Sequence, residues 1–228
     1  DANGNGKGKR VIVNALNDAG IRAGFARRDS ITMDDIINAY LKASYNAGNM
    51  HGEALGESAV LAAYHEAGHA AIAEALLPGS VTLVSISNSA RTGGITCCYD
   101  GQTRYGAVSS FRNSMMVSLA GRAAIDMVFG EMDCGGKYDI AKAFEQADAL
   151  IADIGLAGLD KTTIKWDDTQ EHCAVIEKAK IVELEYCYLR VKDVMASNMS
   201  LLHEIAHGLL KKTTLLQADI KEIRVSLE

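Results

Sequence analysis

The chain contains a single proline, Pro78, among its 228 residues. Because proline removes a backbone donor and clashes with the preceding helical turn, its near absence leaves long helices possible along most of the sequence. The composition is that of a globular protein, with 48% hydrophobic and 23% charged residues. A formal net charge of -6 gives no basic surface of the kind that nucleic acids require, so we predict no nucleic-acid partner.

Hydrophobic periodicity and breaker residues predict a mainly α-helical fold with one small β-sheet. The alternating runs VTLVSIS and GGITCCY predict two short strands, 81–87 and 93–99, joined by a turn at 88–92. Thr32 and Ser58 are expected to cap two of the helices, and residues 130–139 are expected to form a loop. The predicted helices are 11–26, the segment after Thr32, 58–77, 108–129, 140–154, 169–210 with a break near Asn198, and 218–225.

The stretch SYNAGNMHGEALGES is rich in Gly, Asn and Ser, which predicts a linker over residues 46–57. This linker divides the chain into a helical segment, 1–45, and a larger domain, 58–228. The abrupt start, without an initiator Met, indicates a piece of a longer protein. Charged residues interrupt the longest apolar stretch, 59–77, so it cannot cross a bilayer alone, and we expect this piece to be soluble. The five cysteines form no CxxC pair, which favours a reducing compartment.

The motif HEAGH, from His65 to His69, lies in the middle of a predicted helix. Residues four apart lie one turn apart on the same helix face, so both imidazoles can bind one zinc ion. Glu66 can then reach a water molecule at the open coordination position and accept its proton. The spacing therefore predicts two metal ligands and a general base, although a five-residue pattern also arises by chance.

A second HExxH occurs near the end of the chain, from His203 to His207. A zinc site of this type needs a third ligand from another element, and only 21 residues follow this motif. The same helix has an apolar stripe that explains it as a packing element. We therefore expect the second motif to be structural, with a metal-dependent interaction site at His203 and His207 as the less favoured reading.

Three sequence blocks in a fixed order give a more specific signal than a single HExxH motif. They are AYHEAGHAAIAEALLPG, SLAGRAAIDMVFGE and GGKYDIAKA. Together they resemble the ordered motifs of the FtsH-type, membrane-anchored AAA zinc metalloproteases. The closing LLHEIAHGLLKKTTL resembles the C-terminal helix of that family, and residues 11–43 are similar to the last helices of its AAA lid subdomain. The resemblance thus covers nearly the whole chain.

This resemblance implies a helical, zincin-like FtsH peptidase domain with a small β-sheet over residues 58–228, after the end of an AAA lid over residues 1–45. It also implies that Asp139, within GGKYD, is the third zinc ligand. The strand GGITCCY corresponds to the family's edge strand, which binds substrate by β-augmentation. The substrate-binding residues implied there are Gly94, Ile95, Thr96 and Cys97.

For the full-length protein, the resemblance implies a homo-hexamer whose ATPase ring delivers unfolded polypeptides to zinc sites at the cytoplasmic face of a membrane. The chain contains no G-x-x-x-x-G-K-[ST] loop, so the ATPase and the membrane anchor are expected upstream. The expected activity is zinc-dependent endopeptidase cleavage of unfolded or membrane proteins.

Two departures from the family pattern leave an alternative open. SNSARTGGITCCYDGQTRYG differs from the usual proline-containing loop, and AGRAAID replaces the commoner GGRAAEE. The alternative is a degenerate, non-proteolytic assembly or adaptor module of the same fold.

Overall fold

The computed structural model describes residues 5–45, 57–87, 93–99, 107–131, 136–156 and 170–228. The chain divides into two compact units, one containing the first two helices and one containing all later elements. Across the described residues, every helix is too short or too polar to span a bilayer. The predicted linker at 46–57 and turn at 88–92 fall almost entirely outside the described residues.

The first unit contains α1 (Asn5–Phe25) and α2 (Met33–Tyr45). Thr32 caps α2 as predicted, because the Asp35 backbone N–H donates to its hydroxyl oxygen over 3.3 Å. The Asp35 carboxylate in turn accepts the Thr32 backbone N–H at 2.8 Å, which completes a capping box. Arg28 donates to both Asp35 oxygens at 2.7 Å, and this hydrogen-bonded pair holds the pKa of Asp35 well below its usual range.

The second unit is built around α3 (Glu57–Leu76), which carries the first HExxH. Its core face is rich in alanine, and α4 (Val108–Phe129) packs closely against it. At Gly68 a Cβ would lie 2.6 Å from the backbone oxygen of Ala120, so the two helices approach to a distance that only glycine permits. This close approach places the backbone of α4 beside the histidines of α3.

The remaining elements surround these two helices. α5 (Lys137–Asp148) continues into a wider π-type turn (Ala149–Asp153), and α6 (Gln170–Ala196) packs on α4. α7 (Met199–Lys212) packs on α3, and α8 (Gln217–Leu227) ends the chain. Most of the predicted helices are present, and the predicted mainly α-helical fold with a small sheet is confirmed.

The sheet contains three antiparallel strands among the described residues, in the order β2-β1-β3. The strands are β1 (Val81–Ser85), β2 (Ile95–Cys98) and β3 (Thr214–Leu216). The first two match the predicted runs, and β3 was not predicted. The strand β2 pairs with β1 through Leu83–Cys97, Val84–Thr96 and Ser85–Ile95, so β2 lies at an edge.

A buried carboxylate fixes the start of the sheet to the end of α3. Glu74 is only 2% exposed, and its two oxygens accept the backbone N–H groups of Gly79 and Val81, each at 2.9 Å. Arg224 on α8 also donates to this carboxylate at 2.9 Å. Because Gly79 and Val81 lie just before and at the start of β1 and Arg224 lies on α8, Glu74 joins α3, β1 and α8.

Three local predictions were wrong in detail. Helix α3 begins at Glu57, so Ser58 lies in its first turn rather than at its cap. The predicted loop at 130–139 is too long, because α5 begins at Lys137 and includes Asp139 in its first turn. The predicted helix at 140–154 is not regular throughout, since its last part is the π-type turn.

Candidate metal centre

The site begins with the two histidines of the first HExxH. His65 and His69 are one turn apart on α3, and their Nε2 atoms lie 3.0 Å from each other. The ring planes are inclined by 74°, so the two nitrogens converge from different directions on one region of space. His69 is buried and His65 is half-buried. This arrangement offers two nitrogen ligands to one ion.

A backbone contact fixes the chemical form of His69. Its Nδ1 lies 2.6 Å from the carbonyl oxygen of Val117 on α4. Since a carbonyl oxygen only accepts, Nδ1 carries the proton and donates it, which leaves the Nε2 lone pair free to bind a metal. A hydrogen bond from the second ring nitrogen is the usual support for a metal-binding histidine.

Asp139 supplies a carboxylate to the same point from the first turn of α5. Its Oδ2 lies 3.1 Å from His65 Nε2 and 3.5 Å from His69 Nε2. Burial alone would raise the pKa of Asp139, but the two imidazoles beside its carboxylate hold it well below its usual range. The carboxylate is therefore ionised, as a metal ligand must be.

The three ligand atoms fit a tetrahedral ion. Donors about 2.0–2.1 Å from a tetrahedral zinc ion lie about 3.3 Å from one another. The three separations here are 3.0, 3.1 and 3.5 Å, close to one face of such a tetrahedron. Within the described part of the chain, this is the one group of three or more potential ligands close enough to hold an ion. The fourth position would remain for water or substrate.

Gly121 on α4 makes room for this triangle. A Cβ at Gly121 would lie 2.6 Å from Nε2 of both His65 and His69. Even a methyl group would therefore occupy the space beside both ligand nitrogens. Little in the sequence marks this residue, because a glycine carries no functional group; its only signal is its place in the AGRAA block.

Glu66 lies beside the three candidate ligands and is only 6% exposed. The Thr96 hydroxyl on β2 donates to its Oε2 at 2.7 Å. Burial raises the pKa of Glu66, and the neighbouring imidazoles of His69 and His65 and the hydrogen bond from Thr96 oppose only part of this rise. A carboxylate with a raised pKa is suited to accepting a proton, which is the task predicted for Glu66.

The four residues expected to bind substrate follow one another along β2 and the position just before it. Thr96 points toward Glu66, and Gly94 packs against the same side chain. Ile95 and Cys97 are half-buried residues of the same strand. Among the described strands only β1 pairs with β2, so its outer edge has no partner strand there. The role of these residues in substrate binding stays a prediction.

The second HExxH has a different environment on α7. His203 Nδ1 lies 3.0 Å from the Tyr64 hydroxyl, and the two rings meet edge to face. His207 and Glu204 are exposed. Asp219, one of the acids that follow the motif, is hydrogen-bonded to Lys212 and to the Leu216 backbone. No third ligand joins these histidines within the described ranges.

The fold and this site define a class: a helical domain with an HExxH helix and a candidate third ligand from a separate helix. Residues 56–223 match Peptidase family M41, and the chain belongs to that family. The predicted resemblance to FtsH-type peptidase domains is therefore confirmed, and the chain is a metallopeptidase domain of that type.

Similar proteins agree with this assignment. The chain is 27% identical over 213 residues to "ATP-dependent zinc metalloprotease FtsH 3" of Phytoplasma mali, covering 92% of this chain and 35% of that protein. It is 30% identical over 224 residues to FtsH 1 of Alkaliphilus metalliredigens, covering 93% of this chain and 37% of that protein. It is 27% identical over 227 residues to the chloroplastic FTSH 5 of Arabidopsis thaliana, covering 89% of this chain and 32% of that protein. The chain thus spans about a third of the length of these relatives.

Proposed function

We propose that this chain is the zinc-dependent endopeptidase part of an ATP-dependent FtsH-like protease. One observation carries the proposal: the ligand atoms of His65, His69 and Asp139 form a triangle with edges of 3.0–3.5 Å beside the buried carboxylate of Glu66. The relatives named above are called zinc metalloproteases, which supports zinc as the ion. Nitrogen and carboxylate donors in this number are ordinary zinc ligands.

Metal binding and proton transfer are assigned to different residues of the site. His65, His69 and Asp139 would hold the ion through Nε2, Nε2 and Oδ2. Zinc bound there supplies Lewis acidity, which makes water a stronger acid and a peptide carbonyl a better electrophile. Glu66 accepts the proton of the attacking water on its carboxylate and then gives it to the departing amine. Its burial excludes competing solvent from this proton transfer.

The edge strand β2 would hold the substrate. An extended peptide that pairs with an open strand edge gains backbone hydrogen bonds whatever its side chains are. Such binding suits unfolded or membrane proteins that are fed to the site as extended chains. Backbone groups from Gly94 to Cys97 would provide this pairing next to Glu66.

The rest of the protease is assigned by resemblance to longer relatives. We propose that α1 and α2 are the end of an AAA lid, and that the ATPase and a membrane anchor belong to the upstream part of the full-length protein. In this arrangement the peptidase domain works at the cytoplasmic face of a membrane, within a homo-hexamer. The word "ATP-dependent" in the relatives' names supports the ATPase.

The experiment replaces one glutamate in each HExxH motif of the full-length protein. Glu66→Gln keeps the shape of the side chain but cannot accept the proton, so casein hydrolysis with ATP should fall by about 100- to 10,000-fold. Zinc content should stay near that of the unaltered protein. The matched control, Glu204→Gln, changes an exposed residue at the same place in the second motif and should leave hydrolysis unchanged.

Two results would contradict the proposal. Retained casein hydrolysis in Glu66→Gln would remove Glu66 from the reaction. A full-length protein that hydrolyses no casein, with zinc bound and ATP turned over, would instead favour a non-proteolytic assembly module.

A further inference from the structure

Two positions two residues apart, one in the edge strand and one just before it, lie beside the side chain of Glu66. Gly94 lies just before β2 and Thr96 lies within it, and both are next to Glu66. In extended backbone, residues two apart face the same side of a sheet, so this shared contact follows from the strand itself. The side of β2 that faces α3 therefore packs against the Glu66 side chain.

Thr96 contacts Glu66 at two points. Its Oγ1 lies 2.7 Å from the carboxylate Oε2 and 3.1 Å from the backbone carbonyl oxygen of the same residue. The shorter contact has the length of a strong hydrogen bond to a charged oxygen. Because Oε2 accepts this hydrogen bond, the orientation of the carboxylate is restricted.

Gly94 closes the other side of the carboxylate. A Cβ there would lie 2.5 Å from Glu66 Cγ and 2.8 Å from Oε1, and also 2.8 Å from the backbone oxygen of Ser85. A side chain at this position would therefore push Glu66 away from the strand. The glycine allows β2 to pass within van der Waals distance of the glutamate.

We propose that Thr96 is a positioning residue that orients Glu66 for proton transfer, with Gly94 providing the space, so that β2 both pairs with substrate and sets the direction of the base. This inference rests on the proposed function. It also separates two roles along the strand: the backbone of β2 serves the peptide, whereas the Thr96 side chain serves the glutamate.

The test uses Thr96→Val, which keeps the β-branched shape and removes the hydroxyl, and Thr96→Ser, which keeps the hydroxyl. The matched control is Thr82→Val, because the Thr82 hydroxyl donates to the backbone oxygen of Cys97 at 3.0 Å on the neighbouring strand. Peptide hydrolysis by the full-length, ATP-supplied enzyme gives kcat and KM. Zinc content and the unfolding midpoint of each variant report on the site and the fold.

Thr96→Val should lower kcat by about 10- to 100-fold, the usual effect of one hydrogen bond to a charged group, with KM changed by less than about twofold. Thr96→Ser should restore most of kcat, and Thr82→Val should match the unaltered enzyme. Zinc content should be equal in all four proteins. If Thr96→Val does not fold, Thr96→Ala takes its place in the same comparison.

A second readout does not depend on turnover. Acetohydroxamate binds zinc and needs a carboxylate oriented to accept its proton, so calorimetry on the zinc-loaded chain reports the direction of Glu66. We expect binding to be about tenfold weaker in Thr96→Val and unchanged in Thr82→Val.

The inference is overturned if Thr96→Val has the kcat of the unaltered enzyme, if Ser does not rescue it, or if the variant fails only because zinc is lost. These failures differ from a failure of the proposed function. An inactive Glu66→Gln together with a fully active Thr96→Val removes the positioning role alone, whereas an active Glu66→Gln removes both.

Discussion

The two HExxH motifs of this chain share their spacing but not their surroundings. The first lies on α3, where α4, α5 and β2 each bring a group to it: the Val117 carbonyl, the Asp139 carboxylate and the Thr96 hydroxyl. The second lies on α7, where His203 is hydrogen-bonded to Tyr64 and His207 is exposed. The five residues of an HExxH motif therefore provide two nitrogens and a carboxylate. The groups that complete the site come from three other elements.

Burial distinguishes the glutamates of the two motifs. Glu66 is buried with a raised pKa, and Glu204 is exposed. A general base needs a restricted, partly desolvated environment to work near neutral pH. The chemistry of an HExxH motif therefore depends on which residues pack over it.

Glycines near the two motifs provide the sharpest test of this difference. Gly121→Ala would place a methyl group 2.6 Å from both ligand nitrogens of the first motif. We expect zinc affinity to fall by at least about 10- to 100-fold, the usual cost of disturbing the groups that orient metal ligands. Metal titration of the purified variant measures the change.

The control for this variant is Gly208→Ala, next to His207. The nearest atoms to its Cβ would be the ends of flexible side chains, Leu215 at 3.0 Å and Ile223 at 3.7 Å. Helix propensity favours alanine by about 1 kcal/mol, so stability should stay within about 1 kcal/mol of the original and zinc affinity should not change. Equal zinc affinity in the two alanine variants would mean that α4 does not shape the site.

A smaller effect is expected at the contact between the two motif helices. Tyr64→Phe removes the hydroxyl that meets His203 Nδ1 at 3.0 Å and keeps the ring, which packs edge to face on Phe129. Loss of this hydrogen bond should lower the free energy of unfolding by about 0.5–1.5 kcal/mol. Urea denaturation measures this, and zinc content should stay the same. Loss of zinc in Tyr64→Phe would tie the second motif to the metal site.

Much of this molecule could be predicted from its sequence because the relevant signals are local. The long helices follow from apolar periodicity and a single proline, and the cap at Thr32 follows from side-chain chemistry three residues apart. The two histidines of one helix face follow from helical geometry alone. Asp139 was within reach only through the resemblance, since nothing local distinguishes it from a helix cap.

The features that were missed depend on tertiary contacts. The three residues of β3 form a strand because β1 lies beside them, and no three-residue run can predict that pairing. Gly121 matters because of what would collide with its missing side chain. Thr96 was expected to bind substrate, and its hydrogen bond to Glu66, 30 residues away, depends on how β2 crosses α3.

The most direct test of the account is zinc content per chain in three proteins: the unaltered chain, His65→Ala/His69→Ala and His203→Ala/His207→Ala. We expect about one equivalent in the unaltered chain and in the second double variant, and none in the first, because one HExxH site binds one ion. Zinc retained after loss of His65 and His69, or lost after loss of His203 and His207, would contradict the assignment of the metal centre to α3.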